Sequence, residues 1–451
     1  MPGKGNVRVQ VLKENTYIPI DKAKVTVTEV SENRLRQGST VLISDSSGLT
    51  KEIEVETPPI ENSMNPTNKL PYSFVDINVE ADGFQPVIIK GCQVFPDRVA
   101  LQQVRMEPPK RNARQEERLI IVQPNTLVGN FPPKIPEDPN KPLPPPPSGF
   151  VVLPEPVVPE FIVVHAGVPD DSTAPNYTVR FKDYVKNVAS CEIFSTWPES
   201  TIRANVYCIV SFALNRVYTE WYRGKGKGFQ ITNSTAFDQA FNYGRNIYDN
   251  INRIVDELFS TYVKRPARKQ PLLTQYCDGQ NVQCPGWLTQ WGSKYLGDQG
   301  KAPFEILTNF YGDNLTLVRA EQVQGIPSSY PGYVLTVGSR GPAVRTVQTY
   351  LNRIADNYPA INKQAVDGIY GNATRDAVKQ FQSIFSLPAT GDVDYPTWYR
   401  ISDIYVAVTK IGELRGDYRT SERTFFPPMT YEMNNMTDVP KVKYKDEYYN
   451  I

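Results

Sequence analysis

The chain has 451 residues, with 49 Lys+Arg against 48 Asp+Glu, 39 Pro, 5 Cys and a single His. A net charge of +1 gives no bulk electrostatic case for nucleic acid or an acidic membrane surface as a partner. One histidine, His165, excludes multi-His zinc sites and leaves room for a single Ser-His or Cys-His pairing, so carboxylates are the expected acid–base groups and no cofactor is expected.

Residues 1–110 predict an all-β sandwich. VRVQVL, KVTVTEV, TVLIS, KEIEVE and VDINVEA are short β-branched runs, separated by turn clusters such as DSSG (45–48) and ADGF (81–84). Residues 111–151 form a Pro-rich linker whose density of proline forbids helix and predicts an extended tether. Residues 152–328 read as an α+β domain. EFIVVHAG opens it as a strand that holds His165, expected to be structural. Thr196-Trp-Pro-Glu199 reads as a capping box for a helix with Ile202, Val206, Ile209, Val210, Ala213 and Val217 on one face. A second helix carries Ile247, Ile251, Ile254, Val255, Leu258 and Phe259 in the same way. Residues 271–300, rich in Gly, Gln and Trp, predict an irregular loop; its Cys277 and Cys284 read as free thiols ahead of a disulfide or metal pair. Residues 329–405 hold two helical stripes, Val344, Val347, Leu351, Ile354 and then Ala373, Ala377, Phe381, Phe385. The tail, 406–451, has no period and predicts surface wrapping or disorder. No segment reaches the ~18 apolar residues of a membrane span, and MPGKGNVRVQVL lacks the apolar run of a signal peptide, so no classical signal peptide is expected.

The third unit resembles the three-helix peptidoglycan-binding domain through VGSRGPAVRTVQTYLN (337–352), VDGIYGNATRDAVKQFQ (366–382) and LPATGDVDYPTW (387–398). Gly338 and Gly341 suit the turn before its first helix, and Asn372 suits a cap on the second. The resemblance implies a shallow groove for wall glycopeptide, with Tyr370, Arg375 and Asp392 as candidate contacts. The middle domain is similar to the catalytic domain of sporulation stage II protein D and to LytB-type amidase enhancers, through YVKNVASCEI (184–193), TIRANVYCIVSFALNRV (201–217) and QWGSKYL (290–296). That alignment puts Glu192 on the family's catalytic glutamate and leaves Glu199 outside it. The family's zinc-holding His-Cys stretch corresponds here to STAFDQAF (234–241), with neither residue, so no such metal site is expected.

The whole arrangement resembles the SleC family of clostridial spore cortex-lytic enzymes in full-length precursor form, most sharply in VVLPEPVVPEFIVVHAGVPDD (151–171), STWPEST (195–201) and LNRVYTEWYRGKG (214–226). The resemblance implies a spore germination enzyme at the cortex and coat, acting on cortex peptidoglycan as a lytic transglycosylase. It also implies activation by a Csp-type germination protease, cutting at Val151–Val152. In such a reaction the sugar's C6 hydroxyl attacks its own anomeric carbon to give a 1,6-anhydro end, so one carboxyl, Glu192, serves first as acid and then as base. Gln275, Tyr276, Asp278, Gln280 and Trp287 are the candidate substrate contacts; Trp291 is expected in the core. The alternatives are an N-acetylmuramoyl-L-alanine amidase and a non-enzymatic wall-binding or amidase-activating protein.

Overall fold

The computed structural model describes residues 2–14, 18–30, 36–67, 69–109, 117–137, 155–284, 286–322, 331, 333–394, 396–398, 400–402, 404–405, 408, 441–444 and 447–450. The expected cut at Val151 and Val152 lies outside the described residues, as does most of the tail.

Strands β1 (Gly3–Lys13), β2 (Lys24–Val30), β3 (Arg36–Ile43), β4 (Ile53–Thr57), β5 (Ser73–Glu80), β6 (Val87–Val94), β7 (Val99–Met106) and β8 (Arg118–Ile121) build the N-terminal region. One sheet runs β4-β1-β7 and the other β3-β2-β5-β6-β8. Alternation sends Val7, Val9 and Val11 of β1 and Val75, Ile77 and Val79 of β5 into a core from which water is excluded. The five sequence-predicted strands all form. β6 and β7 carry weaker patterns: β6 is interrupted by Gly91 at φ 82°, beside a register shift in β5, where Asp76 Oδ1 accepts the Gly91 N–H at 3.0 Å. The first part of the Pro-rich linker is not a tether. Arg118–Ile121 adds to β6 in parallel register as β8, because that edge offers unpaired backbone groups.

The central region follows as β9 (Val157–Val158), β10 (Phe161–His165), β11 (Asn176–Arg180), α1 (Phe181–Glu192), α2 (Glu199–Tyr218), β12 (Ile231–Thr232), β13 (Ile247–Tyr248), α3 (Asp249–Leu258), β14 (Thr261–Lys264), β15 (Tyr276–Cys277), β16 (Leu288–Thr289), α4 (Gln290–Asp298), α5 (Pro303–Tyr311), β17 (Thr316–Arg319) and β18 (Glu321–Gln322). α2 is the axis: Ile202, Val206, Ile209, Val210 and Ala213 are buried, and α1, α3, α4, α5 and β14 pack around it. Two expectations change here. Ile247 belongs to β13, which stops short of α3, and the irregular stretch ends at Thr289, where α4 begins.

The capping box does not form. Pro198 precedes α2 without a side-chain cap; Thr196 Oγ1 is 2.8 Å from Ser63 Oγ, and Trp197 Nε1 donates to Ser63 O at 2.8 Å. Glu199 pairs with Arg203 and Arg253 instead. A tertiary partner has taken the residues that a local motif would have used. The same contact belongs to a broad junction: β13 pairs antiparallel with β7, extending the N-terminal sheet to β13-β7-β1-β4. Asn246 and Gln93 exchange hydrogen bonds at 3.1 and 3.0 Å, Arg245 Nη2 reaches Gln93 Oε1 at 2.6 Å, and the Phe95 ring lies 5.3 Å from both Phe194 and Tyr248.

The C-terminal unit has its own core, with Leu335, Val344, Val347, Leu351, Ile354, Phe381 and Trp398 buried between α6 (Pro342–Ala355) and α7 (Asn372–Ile384), and helical backbone at 396–398 and 400–402. Gly338 and Gly341 adopt φ 99° and 117°, as the turn requires. α7 buries Thr374, Ala377, Val378 and Phe381; Ala373 is exposed, Phe385 ends the helix, and Gly371, not Asn372, occupies the cap position. In the tail, β19 (Lys441–Tyr444) and β20 (Glu447–Asn450) pair antiparallel.

Candidate active site

Glu192 closes α1 and is 5% exposed. Its Oε1 accepts from the Ala240 N–H at 2.7 Å and from the Tyr276 hydroxyl at 3.3 Å; its Oε2 accepts from Gln290 Nε2 at 3.0 Å and Thr126 Oγ1 at 3.3 Å. Four donors favour the carboxylate, yet burial outweighs them and pushes the Glu192 pKa above the ordinary glutamate range, against the opposing pull of the Lys134 ammonium. Behind it, Tyr184 donates to Gln239 Oε1 at 2.9 Å and Gln239 Nε2 donates to the Tyr276 oxygen at 3.1 Å, which directs the Tyr276 proton toward Glu192. Burial raises both tyrosines well above their usual range, so they remain donors.

Glu192 opens onto a cavity of about 310 Å³. Tyr276, Cys277, Asp278, Asn281, Val282 and Gln290 form one wall. Cys277 and Cys284 are joined in a disulfide, which corrects the reading as free thiols; the seven-residue separation had looked like chance in a loop. Asp278 is spent on that loop, accepting the N–H groups of Gln280, Asn281 and Val282 at 3.3, 2.9 and 2.9 Å. Of the other candidates, Gln280 is exposed and Trp287 half-buried, and neither lines this cavity. Gln275 is buried and faces the adjoining groove. His165 stacks on Phe229, with ring nitrogens 2.8 Å from Asn176 Oδ1 and 3.2 Å from Val168 O, and Trp291 packs on Phe194 and Trp197.

The opposite wall is a middle part of the expected tether. Residues 123–137 run across the groove as a strap, and Thr126, Gly129, Phe131 and Lys134 line the cavity. The Thr126 N–H donates to Cys191 O at 2.9 Å, and Asn125 Nδ2 reaches Ser190 O and Ile193 O at 3.2 Å each. Lys134 enters the pocket itself. Its ammonium donates to Asp238 O and lies 4.9 and 4.8 Å from the centres of the Phe212 and Tyr276 rings; burial pulls its pKa down to about 8. Ile135 N donates to Ala236 O at 2.7 Å, and the Glu137 carboxylate meets both Arg216 Nη atoms at 2.5 and 3.1 Å. Arg216, 1% exposed, also gives Nε to Asp238 Oδ1 at 2.7 Å, and Asp238 Oδ2 accepts from Tyr222 and Thr232.

Sequence reasoning overlooked Thr126, Lys134, Arg216, Asp238 and Gln239. A charged Arg inside the apolar face of α2, and an Asp in STAFDQAF where the related family carries metal ligands, were the available signals. Among the described residues no group of three or more His, Cys, Asp or Glu is placed to hold a metal ion. In the C-terminal unit Tyr370 is 1% exposed with its hydroxyl on Gly391 O at 2.8 Å, so it is a core residue and cannot present a face to glycan. Arg375 pairs with Asp376, and Asp392 accepts from Thr336 Oγ1 at 2.6 Å.

Residues 340–401 match the protein family described as "Putative peptidoglycan binding domain". No curated protein matches the chain. Among solved structures, the SleB N-terminal domain is 26% identical, covering 17% of this chain and 99% of that one at a TM-score of 0.15. A catechol 1,2-dioxygenase variant of Acinetobacter radioresistens is 13% identical, covering 26% and 58% at 0.17. A chlorocatechol 1,2-dioxygenase of Pseudomonas putida is 15% identical, covering 27% and 58% at 0.15. At these TM-scores none of the three bears on this chain's fold or activity. The family match gives the chain a peptidoglycan-binding domain, peptidoglycan as a partner, and a place of work at the cell or spore wall.

Proposed function

We propose that the chain is the precursor of a spore cortex-lytic transglycosylase, with Glu192 as its acid–base group. The observation that carries the reading is that, among the described residues, one available carboxyl stands at the cavity: Glu192 is buried, oriented by four donors and raised in pKa, while Asp238 is tied to Arg216 and Asp278 to its own loop. Ordinary glycosidases need two carboxyl groups. One suffices when the nucleophile is the substrate's own C6 hydroxyl: Glu192 donates its proton to the leaving glycosidic oxygen, then accepts the C6 hydroxyl proton as the 1,6-anhydro ring closes. Burial shifts the Glu192 pKa in the direction that favours the protonated form needed for the first step. Tyr276 and Gln290 hold the carboxylate in place for its second role.

The zymogen part of the reading rests on the strap. Residues 123–137 fill the groove, and the described chain resumes at Glu155, where Glu155 Oε1 meets Lys269 Nζ at 2.5 Å and β9 pairs with β18. A cut at the proposed Val151–Val152 bond, made by a Csp-type protease, falls between the last described residue of the strap and Glu155 and breaks the covalent link between strap and central domain. Covalent linkage gives the strap a high effective concentration, and after the cut only non-covalent contacts, the β7–β13 junction among them, hold it in place. The test is loss of turbidity of decoated spores by the intact chain and by the chain nicked within residues 138–154. The reading expects activity from the nicked chain alone; equal activity from both would remove the zymogen assignment.

A further inference from the structure

The strap does more than fill space: at Glu137 it makes contacts of a kind that a bound ligand makes. Arg216 stands in the last turn of α2 with Nε committed to Asp238, leaving the Nη1–Nη2 edge of the guanidinium for Glu137. Besides Glu137, the acceptor at that edge among the described residues is Phe237 O, 3.1 Å from Nη2. Beside it, the Gln275 side chain reads one residue's backbone on both sides: Gln275 Oε1 accepts the Glu137 N–H at 3.0 Å, and Gln275 Nε2 donates to Glu137 O at 2.7 Å. A planar fork for a carboxylate and an amide reader next to it are thus built into the central domain from buried side chains, both supplied by residues outside the strap.

We propose that Arg216 and Gln275 form a subsite for a substrate carboxylate lying next to an amide group, and that Glu137 occupies it as a built-in stand-in until the strap leaves. This rests on the reading of the groove as a peptidoglycan site. Removing the strap takes away one carboxylate and vacates the Nη1–Nη2 edge while Asp238 keeps Nε, which leaves a fork shaped for a second carboxylate. Peptidoglycan carries carboxylates beside amides in two places: the lactyl group of peptide-free muramic acid, next to its N-acetyl, and the stem peptide. Glu137 follows Lys134 by three residues, so their Cα atoms are at most about 11 Å apart along the strap.

Because ligand and Glu137 exclude each other, a ligand needing the fork must loosen the strap. The full chain, nicked within residues 138–154, is titrated with an N-acetylglucosaminyl–muramic acid disaccharide, its neutral lactyl amide, and the disaccharide bearing an L-Ala–D-Glu stem. Release of the N-terminal piece is followed by gel filtration. The subsite predicts release by a carboxylate ligand at least tenfold below the amide concentration, with the order of the two acids naming the source. Arg216→Lys, which keeps the charge and loses the fork, erases the acid-over-amide ratio; Glu137→Gln eases release by every ligand and keeps the ratio. If the pieces part on nicking alone, or if the β7–β13 junction holds them together at every ligand concentration, the same ligands are titrated by calorimetry, with the same ratio expected. Equal potency of acid and amide, or no response to either, overturns the subsite. Glu192→Gln leaves the ratio intact, so failure of cleavage and failure of the subsite are told apart.

Discussion

Helix α2 carries a charge network at each end, and the two differ in burial. At its first turn Glu199, Arg203, Arg253 and Glu257 form a cross-linked set with side chains 22–52% exposed. At its last turn Arg216, Asp238 and Glu137 form a set in which the first two are 1% and 0% exposed. The outer network costs little to hydrate and contributes little. The inner one bears a desolvation penalty that an apolar replacement would avoid, so stability alone does not account for it. Its place beside the Glu192 cavity, and the fact that one of its three members arrives on a strap, supply the account: charge is kept buried where a ligand is to be recognised.

The comparison breaks most sharply at the chemistry. Glu192→Gln should lower glycan cleavage by the nicked chain about 10²- to 10⁴-fold, the range for loss of an acid–base group, whereas Glu199→Gln should leave the rate within about twofold. Next in size is stability. Arg216→Ala should cost about 3–5 kcal/mol in urea unfolding, since it strands the buried Asp238; Arg203→Ala, at the exposed end, should cost at most about 1 kcal/mol. Reducing the Cys277–Cys284 bridge should cost about 2–3 kcal/mol by loop-closure reasoning and loosen the cavity wall, lowering the melting temperature only in reductant.

The expected effect most diagnostic for the strap is its pH dependence. Lys134 titrates at about 8 when seated, beside Glu192, Asp238, Glu137 and Arg216, and near 10.5 when free. Between those values the seated strap binds fewer protons than the released one, so seating strengthens as pH rises above about 8 and is insensitive to this group below it. Dissociation of the nicked pieces should therefore fall between pH 8 and 10 in the native sequence and lose that component of its pH dependence in Lys134→Met.

Much of the scaffold was legible. Alternation found five strands of the β-rich N-terminal region, helical periodicity found α2, α6 and α7, and the YVKNVASCEI and QWGSKYL segments hold Glu192 and Gln290, which the fold brings to one cavity. What sequence hid was tertiary. A run dense in proline suits a groove-filling strap as well as a free tether, because extended backbone needs partners that only the fold supplies, here Ala236 O and the Gln275 amide. Thr196 and Glu199 had the spacing of a cap and lost it to Ser63 and two arginines. Tyr370 looked like a glycan contact because exposure cannot be read from a loop's composition.

The most direct test of the central claim is the mass of the glycan ends left on cortex peptidoglycan by the nicked chain, with its Glu192→Gln variant beside it. A single carboxyl acting as acid and then base predicts 1,6-anhydro-muramic ends from the native sequence and none from the variant. Reducing ends with water added, free stem peptides in place of cut glycan, or intact glycan with bound protein would each contradict it.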